Sequence, residues 1–236
     1  MLTSADQIAI FKAQTKNVRE LQHAWVVAQR AINALLVRDD RTVALLQTKI
    51  QALILSAFGE ALFSKLVHTP HGFSMAEIEK IKTLARKNIA MGWSKCLELG
   101  LTKVKPTPDT KRLQTIRQTV LALIKDYVAN SSVVRNKIAH GQWVEALNSD
   151  SSRVNQQLSK RLADLTAIEL LKLKTGMEGL AAIIESLIES PGRTFNRDYP
   201  VIIARTQAAL DAMAHWSLDE KVQRLKRKLS YFQPEP

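Results

Sequence analysis

Only 8 glycines and 7 prolines interrupt this chain of 236 residues, and that scarcity is the strongest constraint on its fold. Gly weakens a helix through backbone entropy and Pro through its missing N–H. A chain poor in both can sustain long helices. Every proline (Pro70, Pro106, Pro108, Pro191, Pro200, Pro234 and Pro236) falls in a segment that reads as a loop, a helix start or a tail. In the first region, Ile8, Phe11, Val18, Leu21, Trp25, Val26, Ile32, Leu35 and Leu36 recur at helical spacing, which predicts a helix over 5–37.

A second helix over 41–67 is apolar around much of its circumference, which suits a central place in a bundle. His68 to Gly72 forms a turn. Ser74 and Glu77 make a capping box that opens a third helix running to Gly100. A loop follows at 103–107, then a helix over 110–129 that buries Ile116, Val120, Leu121, Leu123, Ile124 and Tyr127. Asn130, Ser131 and Ser132 compete for backbone hydrogen bonds, so a kink or fresh N-cap is expected there, with a new helix from Val133. Asn148–Ser152 is a polar turn, and 153–162 admits a short β-hairpin. Thr166 caps a helix running to Ser190. Residues 191–198 read as a loop, and Pro200 as the first residue of the next helix, which ends near His215. Ser217 and Glu220 form a second capping box before a final basic helix. The expectation is an all-α helical bundle over 1–190 with a C-terminal helical extension over 198–236.

The formal charge is +12 and the pI about 9.9, which suits a polyanion partner. Residues 101–150 carry 8 basic and 4 acidic side chains, the densest excess in the chain. Lys103, Lys105, Lys111, Arg112 and Arg117 form one cluster there. Lys221, Arg224, Lys226, Arg227 and Lys228 form another, which reads equally as a solvated helix face. One cysteine, Cys96, rules out an intrachain disulfide and fits a buried small residue. His68 and His71 flank Pro70 in the turn, with no carboxylate or thiol near in sequence to complete a metal site. His23 and His215 read as ordinary helix residues. No signal-peptide core precedes Lys12. The most apolar stretch, Leu53–Leu66, is broken by Glu60 and Lys65 and reads as too short to span a bilayer. The expectation is a cytoplasmic protein with no metal, no cofactor and no membrane contact.

The segment Val133-Val134-Arg135-Asn136-Lys137-Ile138-Ala139-His140-Gly141-Gln142-Trp143 resembles the signature of the HEPN superfamily: an Arg, a polar residue after it, and a His a few positions on. The string itself covers about ten residues, and the helical context is compatible over roughly 1–190. The resemblance implies a helical bundle that dimerises, with the Arg and His of both protomers lining one cleft. It implies a metal-independent endoribonuclease using the RNA 2′-hydroxyl as nucleophile, acting as a toxin or antiphage effector. Arg135, His140 and Asn136 are then the catalytic candidates. Lys137 and the 103–117 cluster are the RNA-binding candidates, and an antitoxin or regulatory protein is a possible partner. Some members carry a modifiable Tyr two positions after the His; Gln142 stands there in this chain, which argues against regulation of that kind. Other members are inactive binding modules, and that alternative stays open.

Elementary chemistry is compatible with the catalytic reading. A histidine titrates near neutral pH and serves as base or acid. A guanidinium grips phosphate oxygens with a fixed fork. One His does not easily serve as base and acid at once, and a two-fold dimer supplies two. Five residues on a regular helix separate Arg135 and His140 by about 140°, so they converge within one chain only if the backbone is irregular. Asn136 also suits a capping role, and Arg135 and His140 a structural ion-pair network. Trp143 reads as packing in the core or at a dimer interface.

Overall fold

The computed structural model describes residues 3–105, 109–189 and 191–230. Pro106, Thr107, Pro108 and the tail from Tyr231 lie outside them. Ten α-helices follow in order: α1 (Ser4–Val37), α2 (Arg41–Val67), α3 (Met75–Lys87), α4 (Ile89–Leu101), α5 (Thr110–Ile124), α6 (Asn130–Ala139), α7 (Gln156–Ala163), α8 (Ala167–Glu189), α9 (Arg193–Ala212) and α10 (Leu218–Ser230). A π turn over Lys125–Ala129 joins α5 to α6. The all-helical expectation holds among the described residues. Where a hairpin was allowed there is one isolated bridge, Leu147 to Val154, and then α7.

α1 and α2 form a long antiparallel hairpin. α2 also packs against α6 and α8, and α8 against α4, α5 and α9. The core gathers Phe58, Trp93, Leu97, Ile116, Leu180 and Phe195, all nearly inaccessible to solvent. A smaller cluster of Ile32, Leu36, Ala44, Ala167 and Val222 sits under α10. Arg41–Asp219 (2.8 Å) and Lys226–Asp39 (2.6 Å) tie α10 to the α1–α2 turn. By length and composition, α2 holds an 18-residue window apolar enough to cross a membrane. The expectation that no such stretch exists fails because α2 as a whole, 27 residues, is longer than its apolar centre. In this fold half of that window is buried inside the protein.

Three boundaries differ from the sequence reading, each for a physical reason. The helix expected over 75–100 breaks at Asn88, whose extended backbone ends α3 and whose Oδ1 accepts from the Ala90 N–H (2.8 Å) to start α4. The polar tripeptide at 130–132 supplies no fresh N-cap: α6 begins at Asn130 straight from the π turn, with no side-chain cap bond. The Ser132 hydroxyl donates back to the Ala129 carbonyl (2.7 Å), so it bonds the preceding turn instead of capping a new one. The π turn takes up the irregularity just before it. α9 begins at Arg193, within the expected loop, because Phe195 and Tyr199 stack on each other (5.3 Å between centroids) and enter the core. Pro200 therefore lies inside α9, not at its first position. His68 lies in the turn after α2, as expected, and is buried there with Nδ1 2.7 Å from the Ser64 carbonyl. The two capping boxes are present as expected, at Ser74–Glu77 and Ser217–Glu220.

Several glycines lie where helices meet most closely. A Cβ at Gly176 of α8 would sit 2.2 Å from Cγ of Tyr127, whose ring projects from the π turn. At Gly59 of α2 the nearest atom is Met177 Sδ at 3.3 Å, the flexible part of a side chain. Gly176→Ala is therefore expected to lower unfolding stability by about 1–3 kcal/mol through overpacking. Gly59→Ala is expected to be neutral or to stabilise by up to about 1 kcal/mol through helix propensity. Urea denaturation of the two variants measures the contrast.

Candidate active site at the exit of the motif helix

α6 carries the signature as regular helix from Asn130 to Ala139 and ends in a Schellman turn. The Gln142 N–H reaches the Lys137 carbonyl (2.8 Å) and the Gly141 N–H reaches the Ile138 carbonyl (3.1 Å). Gly141 takes φ +78°, which the turn requires and other residues resist. His140 is the helix's last half-turn residue, with its backbone N–H on the Asn136 carbonyl (3.0 Å). Its ring is exposed, and no ion pair or side-chain hydrogen bond engages it among the described residues.

Arg135 faces the other way, toward α2. Its Nη1 donates to Glu60 Oε1 (2.5 Å) and Ser56 Oγ (3.1 Å). Among the described residues, Nη2 and Nε carry no such bond. Because the π turn precedes the pair and the helix between them is regular, the 140° separation stands. The two side chains do not converge within one chain. Asn136 is exposed on the same helix.

The segment after His140 is tied down from three sides. Lys49 of α2, a buried lysine, donates to the Trp143 carbonyl (2.5 Å), and burial holds its pKa below the ordinary lysine value. Trp143 Nε1 donates to the Ile138 carbonyl (3.0 Å). Lys137 Nζ donates to the Leu147 carbonyl (2.5 Å), and Gln142 Oε1 accepts from the Leu147 N–H (2.7 Å). In this geometry Lys137, Gln142 and Trp143 brace the loop that follows the motif.

The basic cluster expected to guide RNA is spread along the fold. Lys103 is a latch: its ammonium bonds the Gly72 carbonyl (2.7 Å) and Glu77 Oε2 (2.9 Å) and stands 5.2 Å from the Phe73 ring centroid. Burial pushes the Glu77 carboxyl up, but the bonds from Lys103 and Ser74 outweigh it, and its pKa lies below the ordinary value of 4.5. Lys105, Lys111, Arg112 and Arg117 are exposed, with Arg117 3.8 Å from Glu98. Counting along the α5–α6 rod, Arg117 lies about 27 Å from Arg135. In the C-terminal cluster, Lys226 pairs with Asp39 and Arg224 lies over the Trp216 ring.

A cavity of about 200 Å³ opens beside Arg135, between α2, α4, the π turn, α6 and α8. Arg161 of α7 reaches its rim and donates to the Asn130 carbonyl (3.4 Å). The sequence reading missed Arg161 because it left 153–162 unassigned. The strongly amphipathic run of α7 was the available signal. Cys96 is buried, which pushes its thiol pKa well up. Among the described residues, no three His, Cys, Asp or Glu side chains gather as a metal site. No family model, curated protein or solved structure matches this chain.

Two outcomes follow. Gly141→Ala, with open space around the new methyl, is expected to cost about 1 kcal/mol from its backbone conformation alone, read by chemical denaturation. Lys103→Met is expected to cost about 1–3 kcal/mol. Because Glu77's pKa is depressed in the fold, the wild-type contribution is complete above 4.5 and is lost as pH falls through the lower folded value. The stability gap between the two proteins should therefore close in acid, as pH-dependent urea titrations would measure.

Proposed function

We propose that this chain is a HEPN-type endoribonuclease that works without a metal and acts as a homodimer, in the manner of a toxin or antiphage effector. The observation that carries the reading is the state of the motif. His140 presents an exposed, unengaged ring on a backbone locked by the Schellman turn. Arg135 is oriented by α2 through one nitrogen, which leaves its remaining donors for a phosphate.

In the reaction, a base takes the proton of an RNA 2′-hydroxyl and the 2′-oxygen attacks the adjacent phosphorus. The bond to the 5′-oxygen breaks, and an acid protonates that leaving oxygen. The products are a 2′,3′-cyclic phosphate and a 5′-hydroxyl. His140 of one copy serves as base and His140 of the second as acid. Arg135 stabilises the charge that gathers on the phosphorane. Asn136, exposed on the same helix, is placed to contact the substrate.

The homodimer is supported by what α2 leaves uncovered. Val43, Leu46 and Ile50 are exposed at helical spacing. Lys49, within that stretch, holds the Trp143 carbonyl, so the apolar stripe runs beside the loop that follows His140. Val144 in that loop is 76% exposed. Apolar residues gathered in this way mark interaction surfaces.

The second reading, a non-catalytic RNA- or protein-binding module, draws on the Arg135–Glu60 pair, because a phosphate must displace or share that carboxylate. The two readings separate in one assay: incubation of tRNA and total RNA in EDTA with wild type, His140→Ala and Arg135→Ala. The expected result is cleavage by wild type alone, with cyclic-phosphate ends and a loss of at least about a hundredfold in each variant. Salt-sensitive RNA binding without cleavage by any of the three would establish the binding module instead.

A further inference from the structure

We propose that the cavity beside Arg135 is a nucleobase pocket that accepts a base bearing an exocyclic amine, adenine, cytosine or guanine, and disfavours uracil. The proposal rests on the ribonuclease reading for its substrate, and its geometry stands independently. The cavity's walls are buried and apolar: Leu55 from α2, Trp93 from α4, Val128 from the π turn, Val134 from α6, and Leu170 and Met177 from α8. Its volume of about 200 Å³ exceeds the ~150 Å³ at which an apolar cavity takes up benzene. One flat ring system fits, and a whole nucleotide does not. Sugar and phosphate would stay outside, near Arg135, which lines the cavity.

The rim sets the chemistry. Asp126 and Glu169 both line the opening, and neither is in an ion pair among the described residues. An aliphatic ligand would strip water from those carboxylates and return no hydrogen bond, which is costly. An exocyclic amine supplies the missing donors, as cytosine N4 does to Asp and Glu in base recognition. Uracil presents two carbonyl oxygens and a single N–H, so its oxygens would face carboxylate oxygens. Asn130 and Arg161 add donors around the same mouth. The π turn contributes both Asp126 at the rim and Val128 in the wall, and such turns recur at functional sites.

The test is calorimetric titration of the full chain with AMP, CMP, GMP and UMP, using wild type, Asp126→Asn/Glu169→Gln and the pocket-filling Leu173→Trp, at a further lining residue of the cavity. The expected result is binding of the three amine-bearing nucleotides at least about tenfold tighter than UMP. The double variant should bring all four within about twofold, and Leu173→Trp should lose all of them while keeping its helical spectrum. If Leu173→Trp fails to fold, the double variant alone decides. Equal affinity for the four nucleotides, binding that survives Leu173→Trp, or uptake of indole with no nucleotide bound would each overturn the proposal. Wild type that cleaves RNA but binds no monophosphate removes the pocket and leaves the ribonuclease. Selective, variant-sensitive binding with no RNA cleavage removes the ribonuclease and leaves the pocket.

Discussion

A helix apolar on nearly every side has to be covered, and the covering of α2 organises this molecule. α1 takes one flank, α8 another, and α6 lies against a third. The polar groups that α2 carries into this environment then need partners. Lys49 finds the carbonyl of Trp143, and the Gln51 amide reaches Gln29 (3.3 Å). Ser56 and Glu60, two and three turns further along, meet Arg135. The demand to satisfy polar groups on a buried helix is thus the same demand that fixes the motif helix and the loop after it.

This division of labour explains why adjacent motif residues behave so differently. Val134 and Ile138 are core. Arg135 is held against α2, Lys137 and Trp143 brace the loop, and Gly141 makes the turn possible. His140 and Asn136 are what the packing leaves in solvent. A segment with its backbone this constrained and one titratable ring left free has the preorganisation that acid–base chemistry needs. In the proposed dimer, the 140° between Arg135 and His140 would give a second copy its chemical purpose. Two histidines across a two-fold axis supply both proton transfers, and the uncovered stripe on α2 runs alongside the site that would use them.

Much of the architecture was legible in the sequence. The spacing of Ile8 to Leu36 gave α1, and the Ser74–Glu77 and Ser217–Glu220 boxes gave the starts of α3 and α10, because these are local signals that packing did not override. The misses were decided by tertiary contacts or by a choice between two local bonds. Asn88 ends one helix and starts the next with a single side chain. Ser132 bonds backward instead of forward. Phe195 pulls α9 into being ahead of Pro200. At the site, the motif string placed Arg135 and His140, but not the directions they face. Lys103 and Lys137 looked like free cations in sequence, and only their long-range and cross-loop partners, Glu77, Gly72 and Leu147, identify them as braces. Arg161 and the cavity it borders depend on six elements meeting, which no local pattern records.

The central claim is that two copies of this chain make one site. It is tested most directly by co-expressing wild type with His140→Ala over a range of ratios and measuring RNA cleavage per total protein. If each active site needs both histidines, activity follows the square of the wild-type fraction, and an equal mixture retains about a quarter of full activity. Retention of about half at that ratio, a linear dependence, would show that each chain cleaves alone and would contradict the shared site.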